Sequence, residues 1–289
     1  MRYRDPKIDP IFRRIFGEHE HLCCSLLNGM LPLEPSQQVV NINYQPNEIL
    51  PDLPLLKNSI VDVNCTDNFG RNFIVEMQMH WTEAFKSRVL FNSAKVYVKQ
   101  LNQGDDYKLL KPVYALNFVN DIFDKDSSAF YHDYKIVNVA DSEKRIDGLE
   151  FVFVELPKFK PSNLAEKKLY DLWLTFLTGI KDNSEQVPSE LLEEATTREA
   201  VKYLEVSSYT ENELRAFDRY WDTISTERTL YNGKKDDGVK EGWDKGYERG
   251  LIEVVINGHG SGFSVEQIQV LTGLSKERIS EIINSKVQI

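Results

Sequence analysis

Apolar and polar side chains alternate along residues 60–67 and again along 72–79. The first run reads Ile60-Val61-Asp62-Val63-Asn64-Cys65-Thr66-Asp67, the second Asn72-Phe73-Ile74-Val75-Glu76-Met77-Gln78-Met79. A period of two marks half-buried strands. Between them lies Asn68-Phe69-Gly70, a short loop whose Gly takes the left-handed position of a three-residue hairpin. Pairing Asp67 with Arg71 then sets Asp62 directly across from Glu76 on one face, with Gln78 one pleat further on. Val61, Val63, Cys65, Phe73, Val75 and Met77 turn the other way, into a core. Two carboxylates facing each other across a sheet repel, and a divalent cation between them removes the objection. Hard oxygen donors of this kind suit Mg²⁺, held by one or two carboxylates plus phosphate and water. The plainer alternative is a solvent-facing hairpin edge on which both acids pair with lysines.

The pattern around this hairpin predicts alternating helices and strands. Phe12, Ile15, Phe16, Leu22, Leu26 and Leu27 recur at helical spacings, predicting one helix over 9–29 with Gly29 near its end. Residues 39–44 read as a first strand and 82–103 as a helix. Residues 113–119 and 151–156 read as buried strands and 135–140 as a shorter one. Nothing beyond about residue 161 reads as a strand. The fold class is therefore α/β, with an all-helical C-terminal region. In that region Thr210-Glu211-Asn212-Glu213 is a capping box opening a helix to about Leu230, and residues 232–237 read as a linker. Gly238, Gly242, Gly246 and Gly250 then form a small-residue stripe, which suits close helix approach across a homodimer, or else a frayed connector. Ser264 caps a short helix ending at Thr272-Gly273, and Ser275 caps a second over 276–284, a helix-turn-helix layout. Its second helix carries Lys276, Arg278 and Lys286 beside Glu277 and Glu281, a poor basic reading head. The expected division is 1–185, 186–231 and 232–289.

Charge narrows the reading rather than excluding it. The net charge is −10, but residues 1–111 balance acid and base, and nearly all the excess acid lies within 112–231. The segment with the paired carboxylates is neutral, so nucleic-acid binding stays open. Cys23, Cys24 and Cys65 lack metal-ligand spacing and suit a reducing cytoplasm. His19 and His21 have no partner histidine at helical spacing, which argues against zinc, and no Walker-type Gly-rich loop supports ATP use. No apolar run approaches the ~18 residues of a membrane helix.

An Asp followed by a hairpin carrying Glu-x-Lys is the signature of the PD-(D/E)xK nucleases, and here the second half reads Glu76-Met77-Gln78. The chain resembles that superfamily's recombination-promoting nuclease and transposase family of bacteria. The resemblance runs through residues 9–16 with Leu26-Leu27-Asn28-Gly29, through Phe85, Arg88, Tyr97 and residues 100–107, and through Glu155-Leu156-Pro157-Lys158-Phe159. It implies a restriction-endonuclease-like core, a mixed central sheet flanked by helices, and Mg²⁺-dependent endonucleolytic cleavage of DNA, with Mn²⁺ or Ca²⁺ as alternative ions. Asp62, Glu76 and Gln78 would be catalytic, with metal held by Asp62, Glu76 and the backbone carbonyl of Met77. Asp9 or Glu18 on the first helix is a candidate further acid, Asp9 being set against a simple N-cap role. Tyr97 is a supporting candidate, set against a place on the core face with Leu90, Ala94 and Leu101. The departure is Gln78, which can hydrogen-bond water but carries no charge. Arg88 is the best replacement cation, and with Asn92, Lys95 and Lys99 it makes a helix stripe that could follow a nucleic-acid backbone, set against an ordinary solvated helix face. Two rivals stay open: a noncatalytic nucleic-acid-binding or assembly protein that retains the fold, and an RNA-acting nuclease.

Overall fold

The computed structural model describes residues 1–50, 57–161 and 168–285, and the chain divides into two compact units, Met1–Asp222 and Thr223–Ile289. In chain order the first unit carries α1 (Asp9–Glu18), α2 (Glu20–Met30), β1 (Ile42–Tyr44), β2 (Glu48–Ile49), β3 (Ser59–Ile60), β4 (Val63–Asp67), β5 (Asn72–Gln78), α3 (Glu83–Val98), β6 (Val113–Val119), β7 (Tyr131–Asn138), β8 (Asp141–Glu155), α4 (Leu169–Gly179) and α5 (Ala195–Lys202). Then α6 (Glu211–Gly260) runs on into the second unit, which ends with α7 (Val265–Thr272) and α8 (Lys276–Ser285).

One six-stranded mixed sheet, in the order β1-β4-β5-β6-β8-β7, organises the first unit. The β5–β6 and β6–β8 pairs are parallel and the others antiparallel. Every residue of β6 is buried, as expected of a central strand covered on both faces. On one face Phe12 and Phe16 of α1, Leu22 and Leu26 of α2 and Trp173 and Phe176 of α4 pack on Val63, Cys65, Phe73, Val75 and Met77. On the other, Phe85, Val89 and Val96 of α3 cover Ile74, Ala115 and Phe153. This is the α/β architecture read from the sequence.

Several boundaries differ from the pattern for local reasons. The helix expected over 9–29 breaks at His19, which is extended (φ −119°, ψ 94°). The carbonyls released by the break are taken up: His19 Nδ1 bonds Arg14 O at 2.8 Å, and the Tyr44 hydroxyl donates to Phe16 O at 2.9 Å. Val61 joins the α3-side core with Ile74 rather than the face of Val63, because β4 begins only at Val63. The β7–β8 hairpin is longer than expected, its outer half exposed and therefore without a hydrophobic signal. The stretch expected to be a linker at 232–237 is helical, within α6. In the second unit Val255, Ile268, Ile279 and Ile282 form a small core. There the Ser264–Gln267 capping box is reciprocal, and Gly273 turns the chain between α7 and α8 at φ 71°. Lys286 lies outside the described residues.

At the end of β8, Glu155 is wholly buried and fully engaged. Its Oε1 accepts the backbone N–H groups of Phe123 (2.6 Å) and Asp124 (3.0 Å), and its Oε2 meets His132 Nε2 (2.9 Å) and Lys158 Nζ (2.5 Å). Burial pushes the Glu155 carboxyl up, but the Lys158, Asp124, His132 and Phe123 hydrogen bonds together bring it below its ordinary value.

Candidate active site

The hairpin holds the expected register, Val63 facing Val75 and Thr66 facing Asn72, with the Asp67 amide bonded to Arg71 O at 3.0 Å. In a continued ladder residues 61, 63, 65 and 67 would all exchange backbone bonds with β5, but the pairing stops at Val63. Val61 N instead donates to Asn47 O at 3.0 Å, and the Asn47 amide holds the Asp62 carbonyl at 2.9 Å. The chain thus bends away at Asp62, and the Asp62 carboxylate takes the vacated place: its Oδ2 accepts the Met77 N–H at 2.7 Å. A strand residue's N–H and C=O point to the same side, so the Met77 carbonyl faces the same opening.

Three carboxylates meet at that opening. Asp62 and Glu76 are 6% and 4% exposed, and Asp9 stands in the first turn of α1. Arg13, one turn further on, bridges two of them, with Nε 3.0 Å from Asp9 Oδ1 and a terminal nitrogen 2.9 Å from Asp62 Oδ1. Glu76 is served more weakly: Asn92 Nδ2 lies 3.4 Å from its Oε1 and Arg88 3.7 Å from its Oε2. Burial and then the charge of Asp62 raise Glu76 to about 8, against the opposing pull of Arg88, Asn92 and Arg13. Burial and then Asp62 likewise raise Asp9 to about 7, against Arg13. Two part-exposed guanidinium groups therefore face three acids, two of them buried, a local excess of negative charge that protons offset and a divalent cation would offset better. The Asn92 Oδ1 beside Glu76 is buried with no hydrogen-bond partner, which also fits a further group at this point. Among the described residues no group of three or more His, Cys, Asp or Glu side chains is arranged to hold a metal ion. A cation here would rest on two carboxylates, with backbone, phosphate and water completing its shell.

Gln78 lies at the rim. Its Oε1 accepts from Arg88 at 2.7 Å while its Nε2 donates to His80 O at 2.8 Å. The uncharged amide thus holds a guanidinium close to where the Glu-x-Lys pattern would put an ammonium. Asp9 is the first residue of α1 and makes no cap: the residue before the helix is Ile8, with no side-chain cap bond.

The rest of the expected α3 stripe does not face outward as one surface. Asn92 is 1% exposed and turned to Glu76. Lys95 donates to Ile49 O at 2.7 Å and Lys57 O at 3.0 Å, and Lys99 donates to Leu50 O. These lysines tie α3 to the chain before β4. Tyr97 packs against Gly148 of β8, near Leu149, which aligns through Val113 with Asn72 at the start of β5. That is four strand residues, about 13 Å, from Glu76, so Tyr97 supports the sheet and not the carboxylates. Arg13 was not singled out from the sequence. Its signal was the i, i+4 spacing from Asp9, which taken alone denotes an ordinary helix-surface pair.

In the second unit the two described basic residues of the helical hairpin, Lys276 and Arg278, are spoken for. Lys276 pairs with Glu266 at 2.7 Å, and Arg278 with Glu281 at 2.9 Å and Glu248 at 3.3 Å. The four glycines from 238 to 250 have nothing within reach of an added Cβ. No helix among the described residues is long and apolar enough to cross a membrane.

No curated protein and no solved structure matches the chain. A family model described as PD-(D/E)XK nuclease family transposase matches residues 6–226, spanning the sheet, the α1 acid and arginine, and the paired carboxylates. With a mixed sheet flanked by helices and Asp62 set against Glu76-Met77-Gln78, the chain belongs to the PD-(D/E)XK nuclease family transposases.

Proposed function

We propose that the protein is a metal-dependent endonuclease that cleaves DNA phosphodiester bonds in the service of recombination or mobile-element movement. The observation that carries this reading is the buried, mutually repelling pair Asp62 and Glu76 at the opening where β4 leaves β5. Asp62, Glu76 and the Met77 carbonyl would hold Mg²⁺, or Mn²⁺ in its place. Such an ion offsets phosphate charge and lowers the pKa of bound water. Arg13 fixes the Asp62 carboxylate and spreads its charge. Arg88, steadied by Gln78, stands at the exposed side of Glu76 and supplies the positive charge that Gln78 lacks, directed at the scissile phosphate. Asp9, held near neutral protonation, is a proton carrier at the same opening.

Gln78 in the lysine position favours the second reading, a DNA-binding or assembly protein without turnover. Supercoiled plasmid incubated with the full chain and Mg²⁺ or Mn²⁺, beside Asp62→Ala and Glu76→Ala, decides between them. Metal-dependent nicking by wild type and not by either variant is expected. No nicking, with a melting temperature unmoved by either metal, would leave the noncatalytic reading.

A further inference from the structure

On the same hairpin face as Glu76, a cavity of about 460 Å³ with mixed polar and apolar walls opens between the chain at 45–50, the β4–β5 hairpin and the end of α3. Asn64 and Thr66 lie on that face of β4, about 6–7 Å apart and just beyond the bend at Asp62. The helix above is also shared: Arg88 and Asn92 stand over the carboxylates, and Val96 and Lys99 over the cavity.

The wall of this cavity has a definite hydrogen-bonding sense. Asn64 is 7% exposed. Its Nδ2 donates to Pro46 O at 3.0 Å, which fixes the amide's orientation, and its Oδ1 is buried with no hydrogen-bond partner. Thr66 Oγ1 spends its proton on Asn72 Oδ1 at 3.1 Å, leaving its lone pairs. A buried acceptor left unmatched costs free energy, and two acceptors on one wall ask for a ligand that donates. Pro46, Ile49 and Val96 add apolar surface, and Lys99, which donates to Leu50 O, and Glu48 bring one charge of each sign to the lining.

We propose that this cavity receives a nucleobase of the substrate strand, unstacked next to the cut phosphate, and selects bases carrying an exocyclic amino group. Cytosine presents an amino donor where uracil presents a carbonyl acceptor, so the pair tests the wall without changing ring size. The inference rests on the nuclease reading of the neighbouring carboxylates, and it names the part of the substrate that reading leaves undefined.

The test is fluorescence anisotropy of the full chain with labelled oligo-dC and oligo-dU of equal length, in Ca²⁺, for wild type, Asn64→Leu and Thr66→Val. Oligo-dC should bind about tenfold more tightly than oligo-dU to wild type, and each variant should lose most of that ratio. Thr66→Val keeps the side-chain shape and leaves the Pro46 bond in place, so it stands if Asn64→Leu fails to fold. Equal binding of the two oligonucleotides by wild type overturns the proposal, as does a ratio preserved in a folded Thr66→Val. Plasmid nicking without base preference would remove this subsite and leave the nuclease; preference without nicking would do the reverse.

Discussion

Glu76 and Glu155 are both buried glutamates near the ends of strands in one sheet, aligned across β6 to within two residues, yet they are opposite kinds of site. Glu155 has two backbone N–H groups, a histidine and a lysine on its two oxygens, and its carboxyl lies below the ordinary value despite burial. Glu76 has one long amide contact, one distant guanidinium and a second carboxylate beside it, and its carboxyl is raised. Burial is common to both. What separates a structural clamp from a candidate binding site is whether the chain itself supplies the charge that the carboxylate needs.

The sharpest way to break this comparison is to neutralise each acid in turn. Glu76→Gln should lower plasmid nicking on the order of 10³-fold, since it removes a ligand that charge stabilisation depends on, while the folded protein loses little or gains. Glu155→Gln should do the reverse. It leaves Lys158 without its carboxylate and is expected to cost about 3 kcal/mol of stability, as for one broken buried pair. Denaturant titration beside the nicking assay reads both effects. A Glu76→Gln protein as destabilised as Glu155→Gln would show that Glu76 too is a clamp.

A smaller effect is expected at Arg88, the guanidinium 3.7 Å from Glu76. Arg88→Met should slow nicking by roughly 10- to 100-fold, about 1.4–2.7 kcal/mol of barrier, without changing stability, because the guanidinium is about half exposed. Gln78→Lys in that background should restore part of the rate by returning a cation to the neighbouring position. If Gln78→Lys has no effect on Arg88→Met, the guanidinium is not standing in for a lysine.

The hairpin was legible because its chemistry is written at period two: one register assumption put Asp62 against Glu76, and the bonds at Asp67 and Arg71 agree. A place for Arg88 beside the carboxylates, where the guanidinium does donate to Gln78 Oε1, was legible once Gln78 was read as uncharged. Arg13 was not, because its task depends on α1 ending its approach at the same opening, a tertiary fact. Asn92, Lys95 and Lys99 misled for the same reason, since spacing on a helix names a face but not what covers it. The break at His19 needed partners from Tyr44 and Tyr203 that no local pattern carries. The Glu155 clamp appeared in the sequence only as a motif, its partners Phe123, Asp124 and His132 arriving from a different strand and loop.

The pH dependence of stability should run in opposite directions at the two glutamates, and it is the smallest effect. Glu76 titrates near 8 in the folded protein and Asp9 near 7, against about 4 for either in an unfolded chain. Between those values the folded state binds more protons, so the stability they confer is present at low pH and is lost as pH rises through about 7–8. The metal-free protein should therefore melt several degrees lower at pH 9 than at pH 6. Glu155 contributes in the other sense: its stabilisation is present above the ordinary glutamate range and is lost only in acid. Calorimetry in chelator should show the alkaline fall in wild type and a flatter profile in Glu76→Gln. Added Mn²⁺ should recover the melting temperature most at the alkaline end, where the protons it replaces are already gone. A profile in chelator that is level from pH 6 to 9 would mean that Glu76 is as well provided with charge as Glu155, and the distinction between clamp and site would fail.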